Sequence, residues 1–220
     1  DVSYAHLVFQ FYSALRQLGL DVDVLPPGVS LKDYQLVVVP TMPIVGKKAL
    51  DNLRNFTGIV VFGPRTGSKT ETFQIPLNLP PGPLQELLPL KVTQVESLPP
   101  QMEKVIWRGR EYAVGIWKEL VETELEPEMT FTDGSGAAFR HKNYYYFAFW
   151  PNDIFLVDFF TRIAKEAGLN PSQLPQGVRL RRRGDLNFAF NFSAQVAEIP
   201  VSSKAHFLVG SKEVQPGEVA

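Results

Sequence analysis

The stretch GPRTGSKT, Gly63 to Thr70, follows the apolar run GIVVF and ends in lysine and threonine. A glycine-rich turn of this kind after a strand could cradle a nucleotide phosphate. The phosphate-loop pattern, however, needs four residues between its glycines and a lysine directly after the second. Here three residues separate Gly63 from Gly67, and Ser68 stands before Lys69. The continuation ETFQIPLNLPPGP holds four prolines and no helical period. Phosphates are held by backbone amides at a helix start, and no helix is predicted here. The segment reads as a long loop at the C-terminal end of a buried strand.

Other residues with chemical potential are isolated or better explained by structure. His6, His141 and His206 are the only histidines, and none lies at metal-ligand spacing from another. A serine nucleophile on an α/β sheet usually sits in G-x-S-x-G, which is absent. Gly134-Ser135-Gly136 is a hairpin turn signal instead. Glu122, Glu124, Glu126 and Glu128 alternate along the chain. Paired carboxylates can cleave glycosides, but such a row more often marks a solvated strand edge. Arg179, Arg181, Arg182 and Arg183 could hold phosphates or bridge subunits; a strand of alternating register ending at Gly184 accounts for them. The run Tyr144, Tyr145, Tyr146, Phe147, Phe149, Trp150 could stack on sugars, yet fits a buried strand or interface anchors.

The elements around these residues follow from periodicity. Tyr4, Leu7, Val8, Phe11, Leu15 and Leu18 recur at helical spacing, with Ser3 as N-cap and Gly19 as stop. DVDVL (21–25), QLVVVP (35–40) and GIVVF (58–62) read as strands, with KKALDNLRNF as a helix between the last two. This alternation predicts a parallel α/β sheet. From Lys91 to Trp150 the segments are short and β-like, and IFLVDFFTRIAKEAG (154–168) is a helix ended by Gly168. PSQLPQG (171–177) reads as a linker. In LNFAFNFS, Leu186, Phe188, Phe190 and Phe192 alternate with Asn187, Ala189 and Asn191, which predicts a buried phenylalanine face. AEIPV and HFLVG would complete a small antiparallel sheet.

The bulk properties exclude several classes. The 220 residues are 45% hydrophobic and 20% charged, with 22 Lys+Arg against 23 Asp+Glu. The balance gives no pull toward nucleic acid or an anionic membrane, and no apolar run reaches membrane-span length. With no cysteine there are no disulfides, thiolate sites or cysteine nucleophiles. No signal segment is visible, so a cytoplasmic location is expected. The chain starts at Asp1, almost directly in a helix, which suggests a piece of a longer protein.

The succession of segments carries a resemblance. FYSALRQLGLDVDVL, DYQLVVVPTMPIV, GIVVFGPRTGSKTETF, PPGPLQELLPLKV, YYYFAFWPNDIFLVDFFTRIAKEAGL and PQGVRLRRRGDLNFAFNFS resemble, in order, the C-terminal part of glycoside hydrolase family 42 β-galactosidases. The resemblance implies a flavodoxin-like trimerisation domain over residues 1–170 and a small antiparallel β domain over 171–220, without the family's catalytic (β/α)8 barrel. It also implies partners: two further copies in a homotrimer, and the barrel. No catalytic motif of the family falls on this chain, and no cofactor or metal is expected. The first domain also resembles class I glutamine amidotransferases, whose nucleophilic cysteine sits in a turn after a central strand; GPRTG occupies a comparable turn, without a cysteine. Arg65, Lys69 and Phe73, in the loop from Thr66 to Pro83 and the turn before it, are the candidate interface residues. An independent α/β hydrolase or amidotransferase-like enzyme and a carbohydrate-binding module are the competing readings.

Overall fold

The computed structural model describes residues 3–99, 102–202 and 205–220. They fall into two compact units, residues 1–11 with 25–155, and residues 12–24 with 156–220. Helix α1 (Tyr4–Gln17) begins where Ser3 Oγ accepts the His6 N–H at 3.3 Å. It stops at Gly19, whose φ of +69° lets Leu20 N–H return to Leu15 O at 3.3 Å. Leu7, Phe11, Leu15 and Leu18 are buried as the helical spacing predicts, while Tyr4 is exposed.

In the first unit, β1 (Leu36–Val39), α2 (Lys47–Asn55) and β2 (Ile59–Phe62) follow the expected alternation. β3 (Leu90–Ser97), β4 (Lys104–Trp107), β5 (Arg110–Ala113), β6 (Trp117–Thr123), β7 (Pro127–Phe131), β8 (Gly136–His141) and β9 (Tyr144–Phe147) come next. A sheet of seven strands runs β1-β2-β9-β8-β7-β4-β5. Its β1, β2 and β9 are parallel, and the others join antiparallel. The α/β part and the short middle strands therefore make one mixed sheet rather than a purely parallel one. β3 and β6 form a separate antiparallel pair.

β2 and β9 are buried along their whole length, as their unbroken apolar runs require. β1, at the sheet edge, is half-buried throughout. Val60, Phe62, Tyr144 and Tyr146 share a core with Leu50 and Leu53 of α2. On the other face Phe147 meets Phe11 at 6.3 Å and Phe155 at 5.3 Å between ring centroids. Phe155 opens helix α3 (Asp153–Glu166), and its N–H is capped by Asn152 Oδ1 at 2.8 Å.

In the second unit, β10 (Val178–Arg183) and β11 (Leu186–Asn191) make a hairpin, and β12 (Ala197–Glu198) pairs with β13 (Glu213–Val214). α3 ends at Gly168, with φ +78°. Leu174, Val178, Ala189, Ala197, Ile199 and Val214 form the small core.

Three expectations change. Residues 21–25 form no strand: Val24 is exposed, and Asp21 lies 3.5 Å from Arg16 and 3.6 Å from Arg181. The carboxylates follow the arginines instead of a strand ladder. HFLVG is not a strand either, since β12 takes Glu213–Val214 as its partner. In β11 the buried face is the opposite one. Ala189 and Asn191 are inside, and Phe192 is 73% exposed. Asn191 is satisfied there: its Nδ2 donates to Gln195 O (2.7 Å) and Val214 O (2.8 Å), and its Oδ1 accepts Ser193 N–H (2.9 Å). A buried amide with its bonds made costs little, and a small alanine lets the layers approach.

Candidate functional site: an apolar loop on a locked turn

The chain leaves β2 through Gly63, where an added Cβ would stand 2.0 Å from Pro40 O. Two residues on, Arg65 adopts the left-handed region at φ +65°. A side chain is seldom found there without surrounding restraint. The restraint is Glu119 of β6. Its Oε1 accepts the Arg65 backbone N–H (2.8 Å) and Trp117 Nε1–H (3.0 Å), and its Oε2 accepts the Tyr146 hydroxyl (2.6 Å). The Arg65 guanidinium lies 5.0 Å from the Trp117 ring centroid. Burial pushes the Glu119 carboxyl above its ordinary range, outweighing these three donors. Burial and the adjacent carboxylate both hold the Tyr146 hydroxyl well above its usual value.

Beyond Arg65 the loop is tied down residue by residue. Thr66 Oγ1 donates to Gly63 O at 2.8 Å and accepts Met42 N–H at 3.3 Å. Gly67 N–H reaches Met42 O and Lys69 N–H reaches Pro43 O, both at 2.9 Å. Gly67 has φ +68°, and a Cβ there would be 2.0 Å from Pro81 O, so glycine alone suits the contact. The far end is closed by Asn78 Nδ2 donating to Gly82 O (3.0 Å) and Gln85 Nε2 donating to Leu79 O (2.9 Å). Among the described residues, Ser68 Oγ is the buried side-chain polar atom left without a partner.

Between these ends the loop is bare. Phe73 is 71% exposed with φ +62°, Ile75 is 61% exposed, and Leu77 is fully exposed; Leu79 is partly so. Pro76 alone among residues 71–79 is buried. Apolar side chains alternate along TFQIPLNL and point away from their own core. Arg65 and Lys69 belong to the locked base and are half-buried, and Phe73 belongs to the apolar tip. The turn is held by Arg65 in the left-handed region, and the nearby carboxylate is committed to three hydrogen bonds.

The remaining candidates are dispersed. His6 is exposed and stacks 6.2 Å from Trp150, His141 Nδ1 lies 2.8 Å from Leu87 O, and His206 is exposed. Among the described residues no group of three His, Asp or Glu could hold a metal ion. None of their helices is long and apolar enough to cross a membrane. Glu122, Glu124, Glu126 and Glu128 are exposed. Ser135 sits in the β7–β8 turn and binds Asp133 Oδ1 through its N–H at 2.9 Å. Tyr144 to Trp150 are buried. Arg179 to Arg183 lie on β10.

Sequence reasoning missed Glu119, which sits three positions before the alternating acidic row and looks like any strand glutamate. Its signal was Trp117 two residues before it on the same strand face. Ile75 and Leu77 were legible only as residues of a proline-rich loop.

Residues 1–170 match the family model of the beta-galactosidase trimerisation domain, and residues 177–220 that of the beta-galactosidase C-terminal domain. Beta-galactosidase BgaA of a Thermus species is 54% identical over 220 residues, covering 99% of this chain and 34% of the relative. A beta-galactosidase of Thermus thermophilus is equally similar, at 54%. The crystal structure of beta-galactosidase from the psychrophilic Marinomonas ef1 aligns over 100% of this chain and 33% of its own, at 34% identity and TM-score 0.94. That of Bacillus circulans, at 20% identity and TM-score 0.89 over 99% of this chain and 37% of its own, shares the fold. The chain spans about a third of the length of the relatives it matches. With both segments matched in order, the chain belongs to the family 42 β-galactosidases, of which it carries the trimerisation and C-terminal regions.

Proposed function

We propose that this chain is a non-catalytic assembly region of a β-galactosidase and associates as a homotrimer through the loop 71–79. Hydrolysis of terminal β-galactosides then resides in a barrel elsewhere in the longer polypeptide. The observation that carries the reading is the row Phe73, Ile75, Leu77, Leu79, exposed on a base that Glu119 and Gly67 hold fixed. Exposed apolar side chains on a rigid support lose little entropy on docking. A cyclic trimer needs two different patches per subunit, and this loop supplies one. We take residues 1–170 as the assembly domain and 171–220 as the small β domain, a division supported by the family models, which stop at 170 and resume at 177.

Sedimentation velocity over a dilution series tests the reading. An obligate interface buries on the order of 2,000 Å² or more and persists at micromolar concentration. Leu77→Ser and Ile75→Ser alter no buried residue and are expected to shift the chain toward monomer. A monomeric boundary at every concentration for the unsubstituted chain removes the assembly role.

A further inference from the structure

The β10–β11 hairpin carries its aromatic face outward. In an antiparallel pair, residues directly opposite project to the same side. Phe190 stands opposite Arg179, Phe188 opposite Arg181, and Leu186 opposite Arg183. The rings of Phe188, Phe190 and Phe192 follow one another at 6.5 and 6.1 Å with interplanar angles of 19° and 12°. Leu186 is 46% and Phe192 73% exposed.

This face lies on an internal strand. Beyond β10, β11 bonds on its other side to the last residues of the chain. Ala189 N–H donates to Ala220 O at 2.7 Å, Ala220 N–H to Ala189 O at 3.0 Å, and Gly217 N–H to Asn191 O at 2.8 Å. Val219, opposite Phe190, extends the apolar surface and is 40% exposed. Both edges of β11 are thus paired, and strand addition cannot occupy it. What remains open is part of the face: Phe188 and Phe190 are half-buried, and Leu186 and Phe192 at its ends are exposed. A solvated face of an antiparallel sheet is normally polar. Here the other face, through Val178 and Ala189, already covers a core. Aromatic residues beside arginines are the composition of an interface centre.

Arg181 already pairs with Asp21 and Asp23 of its own unit, at 3.6 and 3.9 Å, which leaves Arg183 exposed at the end of the row. We propose that this face is the docking surface for another segment of the same longer polypeptide, outside residues 1–220, with an acidic residue positioned against Arg183. About two thirds of the length of each matched relative lies outside the region shared with this chain. The hairpin also lies outside residues 1–170, the region whose family model is named for trimerisation. A covalently attached segment is present at a high effective concentration whatever the dilution. The proposal is independent of the loop reading, because it concerns a different face and requires no second copy.

The sequence contains no cysteine, so a single introduced thiol reports on the face. Phe192→Cys and Leu186→Cys sample the two ends of the row. Leu208→Cys, at a residue 70% exposed in the same unit, serves as control. Each is placed in the 220-residue chain and in the full-length polypeptide, and alkylation by N-ethylmaleimide is followed by peptide mass spectrometry. In the full-length polypeptide the thiols at 192 and 186 are expected to react at least about tenfold more slowly than in the short chain, at every dilution. The control thiol reacts alike in both. Equal rates at 192 and 186 in the two proteins overturn the proposal. Protection that appears only as concentration rises assigns the face to a second copy, and protection that appears only with added lactose assigns it to a sugar; either result also overturns it.

Discussion

Glu119→Ala removes the acceptor of three donors at once. Tyr146 has no exposed surface, so its hydroxyl stays unpaired, at a cost of about 1–3 kcal/mol. Arg65 and Trp117 are half-buried, so water recovers part of their bonds and they add about 1 kcal/mol together. The vacated side-chain volume adds to the loss, and release of a buried carboxylate offsets part of it. The net expectation is about 2–4 kcal/mol, a fall of roughly 5–15 °C in Tm for a chain of this size. Glu119→Gln keeps an oxygen for Arg65 and Trp117, and the Tyr146 hydroxyl can rotate to accept from the new amide. Its cost is about 1 kcal/mol or less.

The pair of variants also has a pH signature. Burial raises the folded-state pKa of Glu119 above the ordinary carboxyl value of 4.5. A carboxyl shifted upward contributes stability that is fully present below the unfolded value and is lost as pH rises through the folded value. The wild type should therefore lose ground to Glu119→Gln between pH 4.5 and the higher folded value. Urea melts of both proteins from about pH 4 to about pH 8 measure this. A stability gap that stays flat, or that moves in favour of the wild type as pH rises, refutes the burial-dominated account of the lock.

Gly67→Ala should lower stability by several kcal/mol, because it combines a left-handed φ with backbone at 2.0 Å, whereas Gly109→Ala, at φ +78° with open space around it, should cost only about 1–2 kcal/mol in the same urea assay. Asp133, held at a pKa of about 2 by hydrogen bonds from Lys118 and Ser135, contributes stability that is present above 3.8 and lost as pH falls through about 2. The gap between wild type and Asp133→Asn, read by acid titration of circular dichroism, should close over that window. The chain alone should release no nitrophenol from nitrophenyl β-galactoside; turnover that disappears on replacing one of its own carboxylates would move the active site into this region.

The parts legible in the sequence are those where one local pattern had one physical outcome. IVVF and YYYF are unbroken apolar runs, and such runs can sit only inside a sheet, as β2 and β9 do. Gly19 and Gly168 end helices because the left-handed turn costs glycine nothing. The failures share a cause as well. Period-two patterning in Leu186–Phe192 fixes that one face differs from the other, but not which face the protein covers. The choice turned on Asn191, whose amide needs Gln195, Ser193 and Val214 around it, and those partners meet only in the folded unit. The segment 21–25 failed similarly: two valines suggest a strand, but Arg16 and Arg181 draw its carboxylates into side-chain pairs. Glu119 was hard to see because two of its three donors come from distant points, the Tyr146 hydroxyl and the backbone of the Arg65 turn. Exposed Leu186 and Phe192 and the exposed loop row therefore say the same thing about the sequence. Each violates the expectation that apolar residues face the core of their own unit, and a violation on an otherwise satisfied framework is where a chain's folding stops explaining its composition and its contacts with other protein begin to.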